Sequence, residues 1–185
     1  LFRMIDAAEG RYCVLLDECD AYLGARKLPD EQEQVRALVN SGYRRGASVA
    51  RNEVSGKDWK PRRFAVFAPV ALAGIGDLPD TILDRSVVVA MKRRRPQDRV
   101  SPWRERMKEG LRPLQDQLAE WGEAHINEAV ALDSDPHFLP DGIEDRTADV
   151  WGPLIITAAV ASPRWHQRLV DASTELIAST QTRSA

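Results

Sequence analysis

The sequence predicts an α/β fold, a parallel-sheet core followed by a helical region, and three observations predict it. Tyr12-Cys13-Val14-Leu15-Leu16 is a continuous apolar run rather than an alternating one, the pattern of a strand buried on both faces of a parallel sheet. Two further runs, Phe64 to Ala73 and Ser86 to Met91, read as additional strands, with a helical segment between the first run and the second. From Pro102 the composition changes: Leu111, Leu114, Leu118 and Trp121 recur at helical spacing. Strands alternating with helices and then giving way to helices place the boundary near residue 100, with an α/β core over 1–99 and a helical region over 100–185.

Residues 1–10 read as the end of a helix, with Phe2 and Ile5 on one face and Gly10 as its stop. The first strand follows at 11–16, with Cys13 inside it. Asp30 reads as an N-cap with Glu33 three residues on, opening a helix whose apolar face is Val35, Leu38 and Val39. Gly42 ends that helix, and Tyr43-Arg44-Arg45-Gly46 makes a basic turn. Ala47 to Val54 suits a short strand, and Lys57-Asp58-Trp59-Lys60-Pro61 reads as a polar turn. Phe64 to Ala73 is expected to be a central strand, bent or ended at Pro69. Ser86 to Met91 is expected to be a third strand, leading into the basic exit Lys92-Arg93-Arg94-Arg95. Pro113 fits the first turn of a helix. A nearly all-apolar helix is expected near 143–161, and Pro163 separates it from a last amphipathic helix carrying Trp165, Leu169 and Leu176.

With 185 residues, 43% hydrophobic and 29% charged, the chain has an ordinary globular balance. No run of eighteen apolar residues exists, which excludes a membrane-spanning helix. Leu1-Phe2-Arg3-Met4 is neither a secretory signal nor an initiator sequence, so a chain that continues upstream is expected. Two cysteines at awkward spacing, with no zinc pattern, point to the reducing cytoplasm. The net charge of −2 is unevenly spread, with basic clusters at Arg44-Arg45, Lys60 to Arg63 and Lys92 to Arg95; such a positive face can touch phosphate.

The chemistry centres on Asp17 and Glu18. Ligands of open α/β sheets bind outside the carboxyl ends of strands, and these two acids fall there. A first acid can hold Mg²⁺ through water while the next orients an attacking water, which is the form of a Walker B strand in a nucleotide triphosphatase. An acid at a strand end also serves simply to cap the next helix or turn, so the pattern alone leaves both readings. The phosphate cradle GxxxxGK[ST] is absent, and Gly56-Lys57-Asp58 has the wrong flanks. Arg85 immediately precedes the third expected strand, where an arginine can stabilise charge on a neighbour's γ-phosphate or pair with Asp80 or Asp84. Arg44 and Arg45 suit either a phosphate backbone or solvent. Trp59, beside Lys60 and Arg62, is the nearest candidate for base stacking. His125, His137 and His166 are scattered, and no GxSxG elbow occurs.

Five ordered blocks together resemble a known family. They are Val14 to Asp20, Leu38 to Gly46, Leu72 to Gly76, Leu78 to Ser86, and Asp145 to Leu154. In this order they resemble the family called domain of unknown function 3631, found in phage, plasmid and integrated-element proteins, commonly as the C-terminal part of primase/helicase-like polypeptides. The resemblance covers roughly residues 12 to 170. It implies a P-loop NTPase-like core of the AAA+ or RecA-like kind whose N-terminal phosphate-loop part lies upstream. Asp17 would then be the Mg²⁺-coordinating, cofactor-binding acid and Glu18 the catalytic base. Arg85 would be an arginine-finger-like catalytic residue, and Arg44 and Arg45 a second basic element near ATP or DNA. Asp145, Arg146, Asp149 and Trp151 match the family's helical signature, with a structural role. The cofactors implied are Mg²⁺ and ATP; the partners are DNA and, in the full-length parent, further copies of the chain, with no membrane. One departure stands out: the second apolar run ends Ala71-Leu72-Ala73-Gly74, without the polar sensor residue of the wider ATPase pattern.

The function this predicts is the C-terminal portion of a DNA-associated ATPase of a phage or mobile element, inactive by itself. The alternative is a non-catalytic DNA- or partner-binding module derived from one.

Overall fold

A computed structural model describes residues 1–8, 11–23, 30–55, 58–76 and 78–183, and all their side chains except those of residues 22, 30, 31, 55 and 179–183. The expected Gly10 stop and Asp30 cap therefore lie outside the described residues and side chains. The chain divides into two compact units, Leu1–Val87 and Val88–Ala185.

The first unit is mixed α/β, with one parallel and one antiparallel strand pair. Its elements in order are α1 (Phe2–Ala7), β1 (Val14–Leu16), α2 (Asp20–Leu23), α3 (Asp30–Ser41), β2 (Ser48–Ser55), β3 (Asp58–Ala65), β4 (Val70–Leu72) and α4 (Asp80–Leu83). β1 and β4 pair in parallel, Val14 with Val70 through Leu16 with Leu72. A parallel pair needs a long crossover, and α2, α3 and the antiparallel β2–β3 hairpin supply it.

The main core joins Ile5, Val14, Leu38, Val66 and Ala68. The apolar face expected of α3 is seen: Leu38 is buried, with Val35 and Val39 half-buried. Gly42 ends α3 where the backbone must come close, because a Cβ there would stand 2.5 Å from the Val66 carbonyl oxygen. No side chain fits at that distance without moving backbone.

Four expectations are corrected. β1 is not buried on both faces: Val14 is buried, but Leu15 is 76% exposed. Cys13 is exposed and precedes the strand. Successive strand residues point to opposite faces, and only one face of this pair is covered by described residues. Second, Phe64 to Ala73 is not one strand; its start closes β3 and its end forms β4, in different sheets. Third, Asp58 to Pro61 is strand rather than turn, pairing with Ser55 to Asn52. Pro61 is tolerated because a two-stranded ribbon is all edge. Fourth, Ser86 to Met91 forms no strand; β-branched composition makes a strand only where a neighbour accepts its hydrogen bonds.

The hairpin is anchored on one face. Phe64 is 1% exposed and meets the Phe2 ring edge-on at 4.9 Å. Asp6 accepts the Ala65 N–H at 2.8 Å and pairs with Arg62 at 3.1 Å, and Arg62 also reaches Glu53 at 3.2 Å. Exposed ion pairs of this kind stabilise little singly, so the buried Phe64 carries the anchoring and the ions fix the register.

The second unit is helical, with α5 (Arg112–Asp133), α6 (Asp145–Ala161) and α7 (Pro163–Arg183) preceded by two short 3-10 turns. Pro113 sits in the first turn of α5, as its missing N–H allows. α6 buries Trp151, Gly152, Ile155 and Ile156, so the expected burial holds for one face, while Leu154 is exposed. α5 buries none of its residues. The basic run before it curls around Asp98, whose carboxylate accepts the Arg95 N–H at 2.7 Å. Among the described residues no helix is long and apolar enough to cross a membrane.

Candidate functional site

Asp17 and Glu18 leave β1 at its carboxyl end, beside the carboxyl end of β4. The backbone around them is tied on both sides. Ala73 N–H donates to the Leu16 carbonyl at 2.9 Å, and Cys19 N–H donates to the Ala73 carbonyl at 2.9 Å. Glu18 has φ 52°, a left-handed backbone that costs a side-chain-bearing residue roughly 1–2 kcal/mol. Asp17 Oδ1 accepts the Glu18 N–H at 2.9 Å, which holds both acids at the strand mouth, and both are exposed.

Gly74 makes the mouth narrow. A Cβ there would lie 2.6 Å from Asp20 Oδ1 and 3.0 Å from Cys19 Sγ. Asp20 accepts the Ile75 N–H at 3.0 Å, so the loop after β4 is clamped to the loop after β1. Burial pushes the Cys19 thiol up from its ordinary value, and the charges of Asp20 and Asp17 add to the effect.

Arg85 lies elsewhere on the same unit. Its guanidinium stacks 5.1 Å from the Tyr43 ring centroid and donates to the Thr81 carbonyl. Its Nε is buried without a hydrogen-bond partner among the described residues. Tyr43 begins the basic turn, and Arg45 stands 5.6 Å from the Phe67 ring centroid. The structure therefore brings Arg85 to the turn that carries Arg44 and Arg45. The acid pair and Arg85 flank one small core, Cys19, Leu23 and Ile82 with Val39, Leu72 and Leu78 packed on it, without a described contact between them.

Sequence reasoning missed Tyr43, Asp20 and Gly74. They lie in the basic turn and in the five ordered blocks, but each matters through a partner distant in the chain, so no local pattern gave them a role. Among the described residues no three His, Cys, Asp or Glu groups converge on a metal-sized site. A groove of about 420 Å³ between α6 and α7 is lined by alanines, Leu169, Trp165 and Arg168 and offers no acid–base chemistry.

A family model described as protein of unknown function (DUF3631) matches residues 90–185, just over half of the chain. The chain belongs to the DUF3631 family. The match spans the helical α5–α7 part of this DUF3631 protein, including Asp145, Arg146, Asp149 and Trp151, and leaves Asp17, Glu18 and Arg85 outside. Within it, Trp151 is 5% exposed. A curated relative, "Uncharacterized 28.9 kDa protein in xis 5'region" of Saccharopolyspora erythraea, is 37% identical over 89 residues, covering 48% of this chain. The matched stretch spans about a third (32%) of that relative's length. No solved structure matches this chain.

Proposed function

We propose that this chain is the C-terminal portion of a DNA-associated ATPase of the P-loop kind, working in a mobile element. The observation that carries the reading is the placement of Asp17 and Glu18 at the mouth of a parallel strand pair, with Glu18 in a left-handed backbone. Strained backbone at a strand mouth is characteristic of functional positions, and the carboxyl end of parallel strands is where α/β folds bind ligands.

The acids fit Mg²⁺. That ion keeps several waters and takes one or two carboxylates together with substrate phosphates, so two exposed neighbouring acids are a sufficient protein share. When bound, Mg²⁺ neutralises charge on the β- and γ-phosphates. Asp17 would hold it, and Glu18 would position and deprotonate the attacking water. Arg85, kept in place by Tyr43, and the adjacent Arg44 and Arg45 supply positive charge for phosphate. A GxxxxGK[ST] cradle, which these 185 residues lack, has to come from elsewhere in the parent polypeptide. The relative's name puts that protein in the 5′ region of xis, which supports the mobile-element setting.

The test is ATP turnover by the full-length parent. Glu18→Gln is expected to lower kcat by about 100-fold or more, the usual loss on removing a general base, while nucleotide binding persists. Unchanged turnover would remove Glu18 from the mechanism. A second reading, a non-catalytic binding module, is favoured by the basic turn at Tyr43 to Gly46 and by the missing polar sensor after β4. It predicts DNA binding that survives in Glu18→Gln and in the absence of nucleotide.

A further inference from the structure

The β2–β3 hairpin has one anchored face and one open face. Alternation puts Phe64 and Arg62 against α1, and turns Trp59, Pro61 and Arg63 the other way. Across the ladder Trp59 opposes Val54, Pro61 opposes Asn52, and Arg63 opposes Ala50. Trp59 is 69% exposed and Val54 65% exposed. An indole and a valine are thus held in register at the far end of an eight-residue ribbon whose base is pinned by Phe64 and Asp6.

The open face carries positive charge and no acid among its described strand residues. Arg63 supplies that charge, whereas Arg51, Lys60 and Arg62 share the anchored face with Glu53 and Asp58. Arg63 donates to the neutral Ser48 hydroxyl at 3.2 Å and keeps its charge uncompensated by that contact. An exposed aromatic platform beside positive charge is what single-stranded nucleic acid uses: bases stack on the ring and phosphates follow the cations. A duplex keeps its bases stacked on one another and offers the indole no face, while an acidic protein would use Arg63 and leave Trp59 idle.

We propose that the open face of the β2–β3 hairpin binds single-stranded nucleic acid, with Trp59 stacking on a base and Arg63 contacting the backbone. This does not rest on the ATPase reading, because it involves neither Asp17 nor Glu18.

The experiment is fluorescence anisotropy of a labelled oligo(dT) with the whole 185-residue chain, without nucleotide, across a salt series. The expected result is binding at low salt that weakens as salt rises. Trp59→Ala should weaken it by about tenfold and Trp59→Phe should largely restore it, since one stacked base contributes on that scale. Arg63→Gln should lower affinity and flatten the salt slope by roughly one phosphate contact. Both side chains are exposed, and an unchanged far-UV circular dichroism spectrum checks that each variant is folded. Absence of binding at low salt overturns the proposal. So does binding that ignores Trp59→Ala and Arg63→Gln, binding at least as tight to the matching duplex, or an acidic polypeptide competing oligo(dT) away with Trp59→Ala without effect. Loss of ATP turnover in Glu18→Gln alone leaves these readouts in place, so the two readings fail separately.

Discussion

Glu18 and Cys19 are neighbours with opposite surroundings: the carboxylate is exposed while the thiol is 1% exposed. Thiolates, not thiols, react, and Cys19 is both covered and pushed toward the thiol form by burial, Asp20 and Asp17. Cys13, just before β1, is exposed. A disulfide-exchange reagent such as DTNB should therefore label one thiol promptly in the folded protein and the second only on unfolding; mass mapping of the label to Cys19 first would contradict this. The same displacement has a pH consequence. The folded state holds the Cys19 proton more tightly than the unfolded chain, so its contribution to stability is present below the ordinary thiol value of 9.0 and is lost as pH rises through the higher folded value. Urea unfolding from pH 8 to 11 should show a steeper alkaline loss in the native sequence than in Cys19→Ala.

Among the elements, the junction of α3 with the chain leaving β3 tolerates least. Gly42 has the Val66 carbonyl oxygen at 2.5 Å and the Leu38 carbonyl oxygen at 3.0 Å from where a Cβ would be. Both are backbone atoms, which cannot swing aside as a side-chain end does. Gly42→Ala should destabilise the first unit by about 1–3 kcal/mol, the usual cost of overpacking, visible as a lower urea midpoint. Phe64→Ala should cost about 3–5 kcal/mol, because it empties a fully enclosed site and releases the hairpin base. If Phe64→Ala left the unfolding midpoint unchanged, the hairpin would not be anchored as described. α5 behaves differently: Leu114 is 51% exposed and Leu118 60% exposed, so their helical periodicity is real but marks no described core.

For the whole molecule, the acid pair, the arginine turn and the hairpin all lie in Leu1–Val87, whereas the family match lies at 90–185. On the proposed ATPase reading, a chain with Asp17 and Glu18 but no phosphate loop should bind and hydrolyse ATP only in company. The 185 residues alone are expected to show no turnover in a phosphate-release assay, and a polypeptide that also supplies GxxxxGK[ST] is expected to restore it. Turnover by the short chain would mean that its phosphate cradle is built differently.

Several features follow from the sequence by itself because they depend on near neighbours. The apolar run into Asp17-Glu18, the Leu38 face of α3, the Pro113 start of α5 and the breaks at Gly42 and Pro163 are all set within a turn or two of chain. Tertiary structure alone decided which extended segments became strands, since a strand exists only when a distant segment accepts its hydrogen bonds. That is why Trp59 to Pro61, polar and proline-bearing, pairs with β2, why Phe64 to Ala73 is shared between two sheets, and why Ser86 to Met91, the most strand-like in composition, pairs with nothing described. The same non-locality put Tyr43 under Arg85 and Gly74 against Asp20, contacts that join residues 42 and 54 positions apart.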